Sequence, residues 1–194
     1  MDLEELAREI EACRDCDLYK TRNKVVPGEG KPDAEIMLIG EAPGYFEDRE
    51  GRPFVGPAGK YLDELLRMVG LRREDVYIGN VIKCRPPQNR DPLPREIKAC
   101  KKWLDKQIEI ISPKIIITLG RYSLSYFFPN ESISKLHGKA RKWDDKIIFF
   151  MYHPAAALHQ SFLRKIIEED MRKFKEVVRE IEREKEEPHQ LRML

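Results

Sequence analysis

Short, wholly apolar runs alternate along the chain with longer amphipathic stretches, and that alternation predicts the order of its elements. Leu3, Leu6, Ala7 and Ile10 recur at helical spacing, which predicts a short amphipathic helix over residues 2–12. Residues 17–34 carry Asn23, Pro27, Gly28, Gly30 and Pro32 and read as loop. Glu35-Ile36-Met37-Leu38-Ile39 reads as a buried strand running into the turn Gly40-Glu41-Ala42-Pro43-Gly44. A second Gly- and Pro-rich loop covers 51–59. The helix expected over 58–69 sets Leu62, Leu65, Leu66 and Val69 on one face and stops at Gly70. Further strands are predicted over 76–81, 115–119 and 147–151, and further helices over 95–111, 121–127 and 160–186. Residues 83–94 hold four prolines and must be an extended loop. The pattern gives one domain over 1–187 and a short tail over 188–194.

Strands separated by helices argue for parallel βαβ units, and strands apolar on every residue suit a sheet covered on both faces. The fold class is therefore α/β, a three-layer α/β/α sandwich around a parallel sheet. A chain of 194 residues can bury a substantial core, and 41% apolar residues make wholesale disorder untenable despite 36% charge. The longest apolar run, Ile147 to Tyr152, is six residues and cannot span a bilayer. Met1-Asp2-Leu3-Glu4-Glu5 is acidic where a secretory signal needs basic and then apolar residues, so a cytoplasmic protein is expected.

A net charge of +2 does not announce a nucleic-acid binder, but its distribution changes that picture. Residues 83–102 carry seven basic and two acidic side chains, and residues 135–146 carry five and two, while the first twelve residues hold five acids and one arginine. Basic segments set apart from acidic ones suit a face turned to a phosphate backbone. Dense charge of both signs also fits a heat-adapted protein.

Cys13, Cys16, Cys84 and Cys100 are the only cysteines, separated by two, 67 and 15 residues. In a cytosolic chain four cysteines read first as a metal centre and then as disulfides. Zinc and an iron–sulfur cluster both accept four thiolates. A single tight CxxC with two isolated partners tilts the reading toward the cluster.

Ligands of open parallel sheets bind beyond the carboxyl ends of the strands. Those ends deliver Glu41, Asn80, Gly120 and His153, so a carboxylate, an amide and an imidazole can meet in one crevice. The chain contains no GxSxG elbow, no Walker A loop and no GxGxxG.

Taken together, Gly40-Glu41-Ala42-Pro43-Gly44, Gly51-Arg52-Pro53-Phe54-Val55-Gly56, Asn80 ahead of Lys83-Cys84-Arg85-Pro86-Pro87, and His153-Pro154-Ala155-Ala156, interleaved with four cysteines, resemble the family-4 uracil-DNA glycosylases. The likeness runs from about residue 3 to 175. It implies a central four-stranded parallel sheet between helices and one structural [4Fe–4S] cluster on Cys13, Cys16, Cys84 and Cys100. The implied activity is DNA repair: uracil is flipped out of DNA and its N-glycosidic bond is hydrolysed, leaving an abasic site. Glu41 and His153 are then the catalytic pair. Glu41 orients water beside the sugar cation; His153, with backbone N–H groups near Glu41 and Ala42, stabilises negative charge on uracil O2. Phe54 supplies a stacking face, and the Asn80 amide matches uracil O4 and N3–H but mismatches cytosine. Thymine exclusion falls to Glu47, or to Tyr45, because Gly44 lacks bulk near C5. Arg85, Asn89, Leu158 and Arg164 are DNA-contact candidates. Leu158 takes the wedge role although the position four after the histidine is Ala157, and Phe162 or Arg164 shares it. Partners implied are uracil-containing DNA and, through Gln190 to Leu194, a sliding clamp; the protein is expected to be a monomer with no membrane association. The competing readings are a glycosylase of broader damaged-base scope, a non-catalytic Fe–S or zinc nucleic-acid-binding module, and an electron-transfer protein.

Overall fold

The computed structural model describes residues 1–186, with side chains to 180; the tail residues proposed to meet a clamp lie outside them. Six strands form one sheet: β1 (Glu29–Gly30), β2 (Ile36–Gly40), β3 (Tyr77–Asn80), β4 (Ile115–Leu119), β5 (Ala140–Trp143) and β6 (Lys146–Met151), in the order β1-β3-β2-β4-β6-β5. β3, β2, β4 and β6 are mutually parallel, as the apolar runs indicate. The expectation of a purely four-stranded parallel sheet needs correction, because β1 and β5 add antiparallel edges. Neither edge carries an apolar run: β1 is two residues long, and Ala140-Arg141-Lys142 are exposed.

The parallel strands are covered on both sides, and alternate residues divide between two cores. Met37, Ile39, Ile116, Ile148 and Phe150 pack on the side of α1 (Leu3–Ala12), α4 (Pro94–Ile111) and α5 (Arg121–Phe127). Leu38, Ile115, Ile117, Phe149 and Met151 pack on the side of α3 (Pro57–Met68) and α8 (Ser161–Glu186). This period of two is what strands buried on both faces require. Three short helices, α2 (Tyr45–Glu50), α6 (Ile133–Leu136) and α7 (Pro154–His159), occupy stretches to which the sequence pattern assigns no element. Pro154 begins α7 at the one helical position where a missing N–H costs nothing.

Register brings the functional strand ends together. Gly40 is level with Asn80, and Leu119 with Met151, so the segments leaving the sheet emerge along one edge. Among the described residues no helix is long and apolar enough to cross a membrane.

Candidate active site

The strand ends open onto a cavity of about 350 Å³, lined by residues that include Glu41, Ala42, Glu47, Phe54, Asn80, Asn89 and His153. That size suits a small ligand. The sequence had pointed to all seven, and the fold brings them to one place. Arg85 stands just outside, its Nε donating to Asn89 Oδ1 at 2.7 Å. Leu158, at 48% exposure on α7, and Phe162, at 63% on α8, present bare apolar surface without lining the cavity. Arg164 is engaged elsewhere: it pairs with Glu64 and Glu168 and lies over the Tyr61 ring. Tyr45 is also outside the lining.

Asn80 is 1% exposed, and its Oδ1 has no hydrogen-bond partner. A buried, unpaired acceptor costs roughly 1–3 kcal/mol unless a ligand donor completes it. The Asn80 main chain is held from behind. Lys83, also 1% exposed, donates through Nζ to the Asn80 carbonyl at 2.7 Å and to Gln107 Oε1 at 2.6 Å.

His153 caps α7: its Nδ1 accepts from the Ala155 N–H at 3.1 Å. The neutral ring therefore carries its proton on Nε2. Burial depresses the imidazole to about 4, against a small opposing pull from Glu47, so the ring is a neutral donor at ordinary pH. Gly120, at φ +93°, makes room, since a Cβ there would stand 3.1 Å from His153 Cβ.

Glu41 follows β2, and among the described residues no hydrogen bond or ion pair reaches its carboxylate. Burial pushes it up to about 7, reinforced by Asp91 and opposed by Arg121. Asp91 and Arg121 themselves form an ion pair.

Phe54 lies 5.5 Å from the His153 ring, the two planes 24° apart, so the aromatic face and the imidazole share one wall. Its backbone is left-handed at φ +51°, an unfavourable conformation for a bulky residue. Two contacts hold it. Arg73 donates to the Phe54 and Pro53 carbonyls while pairing with Asp63 and Glu29. Glu47 accepts from the Val55 and Gly56 N–H groups at 3.0 and 2.9 Å with one oxygen, and from the Gly44 N–H at 3.1 Å with the other. Glu47 thus lines the cavity with a fixed carboxylate whose oxygens are committed to the two glycine-rich loops.

Arg73, Lys83, Pro86, Arg90 and His159 escaped functional assignment in the sequence. Arg90, on the cavity wall, forms a two-pronged pair with the buried Glu96 on α4. Arg73 and Lys83 act through Phe54 and Gln107, 19 and 24 residues away, so no local motif announces them.

A second, smaller cavity is lined by all four cysteines together with Ile10, Val25, Lys83 and Trp103. All four are unbridged. Three sulfurs receive N–H donors: Cys84 from Arg22 at 3.0 Å, Cys100 from the Lys83 main chain at 3.3 Å, and Cys13 from Trp103 at 3.4 Å. No group of three or more His, Cys, Asp or Glu among the described residues is arranged to hold a single metal ion.

The chain belongs to the uracil DNA glycosylase superfamily, whose family model matches residues 27–181. It is 52% identical over 185 residues to the type-4 uracil-DNA glycosylase of Sulfurisphaera tokodaii, covering 90% of this chain and 84% of that one. The type-4 enzyme of Archaeoglobus fulgidus is 47% identical over 184 residues, covering 90% and 92%. A type-5 uracil-DNA glycosylase of Thermus thermophilus is 32% identical over 167 residues, covering 70% and 76%. The first two likenesses set the chain among the type-4 members.

Proposed function

We infer that the protein is a DNA-repair glycosylase that takes uracil out of DNA and hydrolyses its bond to deoxyribose. The observation that carries this reading is Asn80, on the wall of a base-sized cavity beside Phe54, His153 and Glu41, with its buried Oδ1 unpaired. Uracil N3–H supplies the donor that Oδ1 lacks, and the Asn80 amide N–H donates to O4. Cytosine presents the reverse pattern and would leave two buried groups mismatched.

Extruding the base costs a few kcal/mol of lost stacking and pairing. Phe54 restores a stacking surface. As the C1′–N1 bond breaks, its electron pair leaves on the uracil ring and the sugar becomes cationic. His153 Nε2–H donates to O2, where the negative charge collects. It does so as a neutral imidazole, a fixed dipole needing no proton transfer. Glu41, when ionised, faces the cationic sugar and orients the water whose oxygen adds to C1′; the proton of that water passes to the carboxylate or to solvent. Glu47 adds bulk near C5, where thymine carries its methyl group.

The cysteine cavity is the proposed site of one [4Fe–4S] cluster. Four thiols around one small space, three already receiving N–H···S bonds, match what such a cluster requires. When bound, the cluster ties the end of α1, the loop after β3 and α4 together. That tie lies directly behind the pocket, since Lys83 touches both Asn80 and Cys100. The substrate is DNA, acted on in the cytoplasm by a monomer.

Incubation of the purified protein with single- and double-stranded oligonucleotides containing one uracil, followed by alkali, tests the reading. Strand scission at uracil, with free uracil released and hypoxanthine and thymine controls intact, is expected. Intact uracil strands would overturn it, and equal cutting at hypoxanthine would favour the broader-scope glycosylase.

A further inference from the structure

We propose that Tyr45 and Phe46, together with Arg85, form a second aromatic platform that receives a base neighbouring the flipped uridine. This proposal rests on the glycosylase reading above. Tyr45 and Phe46 are 44% and 49% exposed, side by side, their rings 5.4 Å apart at 83°. Two adjacent aromatic side chains turned to water carry an apolar cost that a ligand would remove.

The platform is rigid. α2 is pinned on its inner side by Asp48, 1% exposed, whose carboxylate accepts from both the main-chain and side-chain N–H groups of Asn23. Glu47, the neighbour of Phe46, is fixed by the three main-chain donors described above. A Cβ on Gly56 would come within 3.0 Å of the Phe46 ring, so the ring lies directly over that loop. Tyr45 is itself steadied by Arg49, which donates to its hydroxyl at 2.8 Å.

Charge and position identify the occupant. The guanidinium groups of Arg49 and Arg85 lie over the Tyr45 ring, 5.6 and 5.2 Å from its centroid, and the ring keeps 44% exposure. Arg85 is bonded in turn to Asn89, which lines the base cavity, as do Gly44 and Glu47 on either side of the aromatic pair. An exposed aromatic pair with two cations over one ring, next in the chain to residues of the cavity wall, fits a nucleobase with its phosphate, the combination that single-stranded nucleic acid presents. Removing uridine from its stack leaves the adjacent base without a neighbour. Tyr45 offers that base a replacement.

Steady-state excision is measured on two single-stranded substrates, one with ordinary bases on both sides of uracil and one with tetrahydrofuran abasic residues there. Tyr45→Ala is expected to raise KM about tenfold on the first and to have little effect on the second, with kcat nearly unchanged on both. Tyr45→Trp should keep the wild-type values, because the ring face and not the hydroxyl is used. The exposed position predicts an unchanged melting temperature for both variants. Equal KM changes on the two substrates, or none on either, would overturn the platform while leaving the glycosylase reading in place. So would concentration-dependent self-association of the wild type that Tyr45→Ala abolishes, which would make this face a contact between copies. Failure of the wild type to release uracil would overturn the glycosylase reading and the platform with it.

Discussion

Nδ1 of His153 accepts the main-chain N–H of Ala155, and that one bond decides which ring nitrogen serves the cavity. The cap of a six-residue helix fixes a tautomer, burial keeps the ring neutral, and a donor is left on Nε2. The same residue therefore ends a strand connection, starts a helix and aims a hydrogen bond.

The pH dependence of kcat/KM separates Glu41 from His153. Glu41 has a folded value raised from 4.5 to about 7, and its proposed role needs the ionised form. Activity should rise with pH through about 7 and level off above it. Glu41→Gln should flatten this limb as well as lower the rate. His153, depressed from 6.5 to about 4, should add no limb between pH 5 and 8. A limb near 6.5 that survives in Glu41→Gln would contradict the assignment. Stability carries the opposite signs. The raised Glu41 value gives stability that is full below 4.5 and lost as pH rises through 7. The depressed His153 value costs stability as pH falls from 6.5 toward 4, because only the unfolded chain takes up the proton. Thermal melts across pH 4 to 8 check both.

Two glycines report on the pocket wall. A Cβ at Gly59 would stand 1.7 Å from the Phe54 carbonyl oxygen, so the left-handed Phe54 turn would have to move. Gly59→Ala should lower the melting temperature by several degrees, in line with roughly 1–3 kcal/mol for overpacking. A Cβ at Gly40 would stand 2.5 Å from Asn80 Oδ1 and 2.6 Å from Phe54 Cζ. Gly40→Ala should cut uracil excision at least tenfold by displacing both recognition groups. Wild-type kinetics in either variant would show that the wall is softer than its geometry implies.

Much of this was legible in the sequence, for physical reasons that differ by element. Ile36–Ile39 and Ile148–Met151 are buried on both faces, so their strands are unbroken apolar runs. β5 could not be read that way: Ala140, Arg141 and Lys142 are exposed, and their pairing depends on β6. α2 was hidden among glycines and prolines because its inner contact is a buried carboxylate, Asp48, and not an apolar stripe. Glu41, Asn80 and His153 stood out because strand ends in parallel sheets point at ligands. The group that holds Phe54 beside them did not: Arg73 reaches back 19 residues to its carbonyl, a bond without local signature.

Asn80→Asp tests base recognition. The variant replaces the amide N–H that faces O4 with an acceptor, while cytosine N4 and a protonated N3 gain partners. Uracil excision should fall on the order of tenfold to a hundredfold, and measurable release of cytosine should appear. Normal uracil processing with cytosine still ignored would remove Asn80 from the recognition role.

The cysteine cavity predicts a brown protein with absorbance near 400 nm and about four irons per chain. Cys100→Ser or Cys84→Ser should reduce the iron content and lower the melting temperature together with activity, because the loops behind Asn80 lose their tie. Zinc without iron in protein purified anaerobically would contradict the cluster assignment.

The central claim is that neutral His153 stabilises the departing uracil anion while Glu41 serves the sugar and water. Single-turnover rates of the wild type, His153→Ala and Glu41→Ala on uracil and on 5-fluorouracil in the same oligonucleotide test it most directly. Fluorine withdraws electron density, so 5-fluorouracil leaves as a more stable anion and needs the donor less. His153→Ala should lose on the order of 10²–10³ on uracil and clearly less on 5-fluorouracil. Glu41→Ala should lose rate similarly on both, with binding of uracil DNA nearly intact. Equal losses for His153→Ala on the two bases would contradict the claim and leave the imidazole only its helix-capping role.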